Sequence, residues 1–196
     1  MRATGVKEKV ERAALELFAV HGVDGVAIGD VAARAGVSQG ALYRYYPGKD
    51  ELAWSLFAEA YLRTGAELDE IRAHERDFRS RIIAMVAHFC TLYDADPALF
   101  RFMLLAQHGF LPRLGAGQRT PVDAIASAVA EAGASAGAGD DPSADPMAAT
   151  AAIMGVVLET ATFHVYGRLT GPLSERAPAL ARAALAAVAA LAEQRK

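Results

Sequence analysis

The residue types best suited to a defined chemistry lie in one short stretch, Ser38-Gln39-Gly40-Ala41-Leu42-Tyr43-Arg44-Tyr45-Tyr46-Pro47-Gly48-Lys49. A glutamine can pair in bidentate fashion with the major-groove edge of adenine. On a helix opening at Ser38, the small neighbours Gly40 and Ala41 would let that edge be approached closely. Tyr43, Arg44, Tyr45 and Lys49 can donate to phosphate oxygens, which fixes register without reading sequence. Leu42 is the apolar residue that would anchor such a helix to the residues behind it. Such chemistry would suit contact with double-stranded DNA.

Other chemistries find weaker footing. Gly133-Ala134-Ser135-Ala136-Gly137 matches the Gly-x-Ser-x-Gly elbow of serine hydrolases, and a hydrolase using Ser135 is the remote alternative. That motif requires a strand before the serine, whereas an alanine-rich helical pattern precedes it here. The five histidines form no His-x-x-x-His pair, and His88 and Cys90 point to different sides of a helix, so no metal site is expected. The phosphate-cradling Gly-x-x-x-x-Gly-Lys loop is missing from the sequence. No cofactor and no enzymatic activity are expected. Cys90 is the single cysteine, which excludes an intrachain disulfide and reads as an inert buried thiol.

Elements must hold the 38–49 stretch in place, and their signals are legible. Ile28, Val31, Ala32 and Ala35 form the apolar face of a short helix, which Gly36 ends by adopting a positive φ. Val37 plugs the gap between this helix and the next, and Ser38 caps the second one. Upstream, Val6, Val10, Ala13, Ala14, Leu17 and Phe18 repeat at helical spacing, opposite Lys7, Glu8, Glu11 and Arg12. Downstream, Asp96-Pro97, Thr120-Pro121 and Asp145-Pro146 each set a capping side chain before a proline suited to the first helical position. Thr120 and Asp123 are spaced as a capping box. Gly171-Pro172 separates a last Ala/Leu helix, roughly 175–193. Gly115–Arg119 and Gly133–Asp145 read as loops. The prediction is an all-α chain of about nine helices without a sheet.

Composition agrees with a folded chain that handles nucleic acid at one end. Hydrophobic residues make up 53% of the 196, enough for a real core. The net charge of −3 argues against general nucleic-acid affinity, but residues 1–49 carry +2 and the remainder −5. No apolar stretch of about 18 residues runs without a charge, so neither a membrane span nor a membrane partner is expected. The first residues lack the apolar core of a signal peptide, and the expected location is the cytoplasm.

Two helices about a glycine are common in plain cores, and the turn alone leaves that reading open. The longer string Ala-Gly-Val-Ser-Gln-Gly-Ala-Leu-Tyr-Arg-Tyr-Tyr-Pro-Gly-Lys-Asp-Glu-Leu, however, resembles the signature of the tetracycline-repressor (TetR) family over about residues 7–56. The resemblance implies a three-helix helix-turn-helix DNA-binding domain over 1–50. It also implies a helical ligand-binding and dimerisation domain over 51–196. Ser38, Gln39, Gly40, Ala41 and Arg44 would lie on the recognition helix, and Tyr43, Tyr45 and Lys49 match backbone-contacting positions. Ala27 stands where the family often has Thr or Ser, Gly29 where some members carry a base-reading Arg, and Tyr46 where Phe is usual. Base readout would then rest on Gln39 and Arg44.

The implied function is a repressor that binds a palindromic operator as a homodimer and releases it on binding a small, largely apolar effector. A ligand-independent DNA-binding regulator or an activator is the alternative. Pro146–Gly167 is apolar nearly all round, so it is expected to be buried on both sides, one of them against a second subunit. Gly155, Leu158, Leu180, Ala184, Val188 and Leu191 are the candidate interface residues. The candidate effector pocket is drawn from Phe89, Cys90, Tyr93, Phe102, Met103, Gln107, His108, Phe110, Met154, Glu159, Phe163, His164 and Tyr166, many of which could equally be plain core. Glu159, a carboxylate in an apolar run, is expected to need a partner. The helix from Asp50 to about Ile71 would join the two domains, its charge-dense far end (Arg63 to Arg81) reading as a solvated hinge.

Overall fold

A computed structural model describes residues 3–135 and 145–193, with side chains given for a slightly smaller set. Among the described residues there are nine α-helices and no strand. They are α1 (Ala3–His21), α2 (Ile28–Ala35), α3 (Gln39–Tyr43), α4 (Lys49–His74), α5 (Phe78–Ala95), α6 (Pro97–Phe110), α7 (Pro121–Ser135), α8 (Pro146–Val165) and α9 (Ala177–Glu193). Helix starts fall where side-chain chemistry put them. Asp96 accepts the Leu99 N–H and Asp145 those of Met147 and Ala148, each directly before the proline that opens its helix. Thr120 and Asp123 exchange bonds in both directions, the reciprocal cap that their spacing implied. The stretch expected to leave the helix after Gly133 is still helical through Ser135, and residues 136–144 lie outside the described residues.

The chain divides into two compact units, Met1–Tyr61 with Asp96–Gly117 and Leu62–Ala95 with Gln118–Lys196. In the first, α1 packs on α2 and α6 around a core that includes Val10, Ala14, Phe18, Val31, Leu42, Leu52, Phe57 and Phe102. Phe18 and Phe102 meet with ring centroids 5.9 Å apart, and Phe57 meets both Tyr61 at 5.1 Å and Phe110 at 5.4 Å. Helix α6 therefore belongs by packing to the N-terminal unit, although it follows α5 in sequence.

The second unit is built from the rest of α4 with α5, α7, α8 and α9. Its core includes Leu68, Ile82, Met85, Val86, Cys90, Ile125, Ile153, Val157 and Val188. Helix α8 is long and apolar enough to cross a membrane by composition alone, yet one of its faces packs on α7 and α9 as a bundle helix does. The charged run at the end of α4 is more than a solvated surface. Asp69 accepts two bonds from Arg119, at 2.8 and 2.7 Å, while Arg72 and Arg81 both donate to Glu131. Asp69, Arg72 and Arg81 are partly buried, and Arg72 and Arg81 share the one α7 carboxylate, while the exposed Arg119, just before α7, reaches back to α4.

Gly65 on α4 lies against the backbone just before α7. A Cβ added there would lie 2.5 Å from the carbonyl oxygen of Arg119 and 2.8 Å from the carbonyl carbon of Thr120. Both obstacles are backbone, so relief requires the segment before α7 to move. Alanine is the better helix former by about 1 kcal/mol, which would ordinarily stabilise an interior position. Here overpacking of about 1–3 kcal/mol is expected to win. Gly65→Ala should lower the thermal midpoint, and a raised midpoint in a melting experiment would show that the approach is loose.

Candidate nucleic-acid interface

The helix-turn-helix is assembled by backbone geometry before any side chain reaches outward. Gly36 sits at φ 67° and ψ 36°, in the left-handed region where a side chain is costly. From there its N–H donates to the carbonyl of Ala33 and the N–H of Val37 to that of Ala32, closing α2. Ser38 then opens α3, its hydroxyl accepting the Ala41 N–H at 3.2 Å. At the other end of α2, Ala27 offers no side-chain cap, and Asp30 instead accepts the Ala27 N–H at 3.0 Å.

Leu42 is fully buried, and this fixes which side of α3 faces out. Ser38, Gln39, Gly40, Tyr43 and Arg44 are exposed, while Ala41 and Tyr45 are half-buried. Tyr43 keeps 49% of its surface in solvent. Lys49, at the first turn of α4, donates its ammonium to the carbonyl of Asp24 at 3.1 Å, and an ammonium has two further donors to offer a phosphate. Of the positions anticipated for DNA contact, five are thus open to solvent, and Ala41, Tyr45 and Lys49 are half-buried. Tyr46 is buried and donates its hydroxyl to Glu11 on α1. Burial, with that bond and the nearby carboxylate, raises the phenol well above its ordinary range, so it stays a neutral donor.

Sequence reasoning missed an ion-pair chain behind this face. Arg34 on α2 donates twice to Glu16 on α1, at 2.7 and 3.2 Å. Arg12 donates to Glu16 at 3.1 Å and to Asp96, the cap of α6, at 2.7 Å. Arg34 and Arg12 hold the Glu16 carboxyl below its usual range. The i,i+4 spacing of Arg12 and Glu16 was the one part visible in sequence. The same unit also carries an open cleft of about 640 Å³ beside the α1–α2 turn, lined among others by Phe18, His21, Asp24, Asp50, Phe110 and Arg113.

The expected effector residues scatter. Phe89 and Met154 do meet, lining with Met85, Val86, Ile125 and Val157 an apolar cavity of about 10 Å³, room for a single water. Tyr93 and His164 pair edge to face, with ring centroids 5.6 Å apart. His164 is buried with its Nε2 unbonded, and burial, helped by Arg176, holds the imidazole below its usual range. Cys90 is fully buried, and the same cause pushes its thiol up to about 11. Phe102 is elsewhere, buried against Phe18 in the N-terminal unit, and Met103, Gln107, His108 and Phe110 share its helix. Glu159, Phe163 and Tyr166 face solvent, so Glu159 needs no buried partner.

The expected partner face also needs correction. Ala184 and Val188 are 0% and 2% exposed within the chain itself, because α9 turns them onto its neighbours α5 and α8. Gly155 is exposed, and Leu158, Leu180 and Leu191 are half-buried. Of the elbow motif, Ser135 ends a helix with no strand before it, its side chain is not among those described, and Gly137 lies outside the described residues. Among the described residues there is no group of three or more potential metal ligands.

Residues 12–56 match the family model for bacterial regulatory proteins of the tetR family. A protein of Mycobacterium tuberculosis (strain ATCC 25618 / H37Rv), named as a candidate mycofactocin biosynthesis transcriptional regulator, MftR, is 28% identical over 95 residues. That match spans 48% of this chain and 48% of the relative, about half the length of each. Among solved structures, the fatty acid degradation regulator FadR from Bacillus halodurans superposes with a TM-score of 0.78 at 18% identity, covering 92% of this chain and 94% of its own. FadR from Bacillus subtilis, in complex with stearoyl-CoA, gives 0.74 at 18% identity, covering 92% and 98%. At such identity these two establish the all-helical fold.

The left-handed turn is open to a direct check. Gly36→Ala forces a Cβ into a conformation that costs about 1–2 kcal/mol. Around the site there is open space, so the cost is conformational rather than steric. The variant should unfold at lower denaturant than wild type, with Gly36→Asn intermediate, since asparagine tolerates this region better. Equal midpoints for all three in chemical denaturation would remove the turn from the account.

Proposed function

We propose that this chain, whose N-terminal helix-turn-helix domain is that of the tetR family of bacterial regulatory proteins, is a ligand-responsive transcriptional repressor. It acts as a homodimer on a palindromic operator. One observation carries the reading: an exposed row of Gln39, Gly40 and Tyr43 on α3 with Arg44 at its end, backed by the fully buried Leu42. This gives one base-reading amide, a close approach past glycine, and donors for the phosphates on either side.

Dimerisation is supported by the face that α8 and α9 leave uncovered. Met147, Ala151, Gly155 and Phe163 fall at four-residue intervals along α8, interrupted by Glu159, with Met147 57% and Phe163 47% exposed. Ala179, Ala183, Ala186 and Ala190 are exposed along α9. Apolar surface of this extent marks an interaction site more often than bare surface, and small residues allow close helix approach. A two-fold dimer presents two recognition helices to half-sites about one DNA turn apart, roughly 34–36 Å.

The effector reading draws on the Phe89–Met154 cavity and on the stearoyl-CoA held by the Bacillus subtilis FadR, a protein of the same fold. The cavity is too small for such a ligand as it stands, so binding would have to open the α5–α8 seam. A ligand that favours the opened form lowers operator affinity only by its differential affinity for the two forms.

Selection from a random duplex pool tests the proposal. Retained duplexes should carry an inverted repeat with half-site centres about 10 base pairs apart, bound by a species sedimenting as a dimer. Lys49→Ala should weaken binding to all duplexes alike and reduce the slope of log affinity against log salt by about 1. A pool that emerges without enrichment would overturn the reading.

A further inference from the structure

Gly29, on the second residue of α2, lies directly beneath the end of the Gln39 side chain. A Cβ built on Gly29 would stand 2.8 Å from Nε2 of Gln39 and 3.9 Å from its Cδ. Gln39 is the first residue of α3 and is exposed. The carboxamide thus rests in the space that a side chain at position 29 would occupy. Beyond its chain neighbours and the backbone of α2 itself, only Gln39 lies within 4 Å of that added Cβ. The vacancy serves Gln39 alone.

We infer that Gly29 is a positioning residue for base readout: the missing side chain on α2 sets the plane in which the Gln39 amide meets a base. This rests on the DNA-binding reading and adds to it a residue that touches no base itself. The physical reason is the geometry of bidentate pairing. A glutamine reads adenine only when its carbonyl and amino groups lie together in the plane of the base, against N6 and N7. An exposed glutamine with free torsions reaches that plane at an entropic cost. A floor on one side, formed by the backbone of α2 at Gly29, removes many competing orientations. With alanine in its place the amide must swing away, at little cost to the fold because the displaced atoms are the far end of a flexible side chain. Folding and readout are therefore separable here: alanine is also the better helix former.

The test is a double-variant cycle on duplexes selected with the wild-type protein. Wild type should discriminate at one adenine in each half-site by about 5- to 150-fold, the range of one bidentate contact. Gln39→Ala should abolish that preference. Gly29→Ala should weaken it at the same position, leaving preferences elsewhere and affinity for unrelated duplex within about twofold. The double variant should resemble Gln39→Ala alone, since the glycine acts only through the glutamine. The thermal midpoint of Gly29→Ala should equal or exceed that of wild type, which separates lost readout from lost folding. The coupling is refuted if Gly29→Ala keeps the full preference, or if the two effects fall on different positions or simply add. Should wild type select no sequence at all, the DNA-binding reading fails first and the coupling falls with it.

Discussion

A helix of five residues cannot hold itself together in water, because nucleating a helical turn costs more than one or two hydrogen bonds return. Yet α3 is the element on which the proposed DNA-reading face depends. Its stability is borrowed from three sources: the left-handed turn at Gly36, the Ser38 cap, and the complete burial of Leu42 among residues of α1, α2 and α4. Each is indifferent to DNA. Together they leave one side of α3 with no structural duty, and that side carries Gln39, Gly40, Tyr43 and Arg44.

What stands behind Leu42 is therefore part of the proposed reading head. The Phe18–Phe102 contact brings α6 into the N-terminal unit, and Arg12 ties α1 to the cap of that helix. The ion pairs from Arg12 and Arg34 to Glu16 are solvent-exposed, and pairs of that kind contribute little each. Arg34 links α2, where Gly29 makes room for Gln39, to α1, while the buried Val31 and Ala32 join α2 to the core that α1 shares.

The sequence was most legible where structure is local. Caps at Asp96, Thr120 and Asp145, the stop at Gly36 and the outward row of α3 depend on residues within a turn or two, so spacing alone exposes them. It was least legible where a helix is apolar on every side. In α8 and α9 the pattern could not tell the face turned inward from the face left bare. Ala184 and Val188 fall inside, while Phe163 and Glu159 fall outside, for reasons that lie in α5 and α7. Phe102 illustrates the same limit, since nothing in its neighbours announces that α6 leaves α5 to pack on α1. Gly29 was visible only as a missing contact; its positive role required the position of Gln39 in space.

The central claim is that one face, from Gln39 to Lys49 with Gly29 beside it, meets DNA bases and phosphates. Amide chemical-shift mapping of the isotopically labelled protein tests it most directly, comparing a selected duplex with one of scrambled sequence. The account predicts the largest sequence-dependent shifts at Gly29 and from Ser38 to Arg44, with Lys49 responding to both duplexes alike. Shifts confined to residues 62–95 and 118–193, with α3 silent, would contradict it.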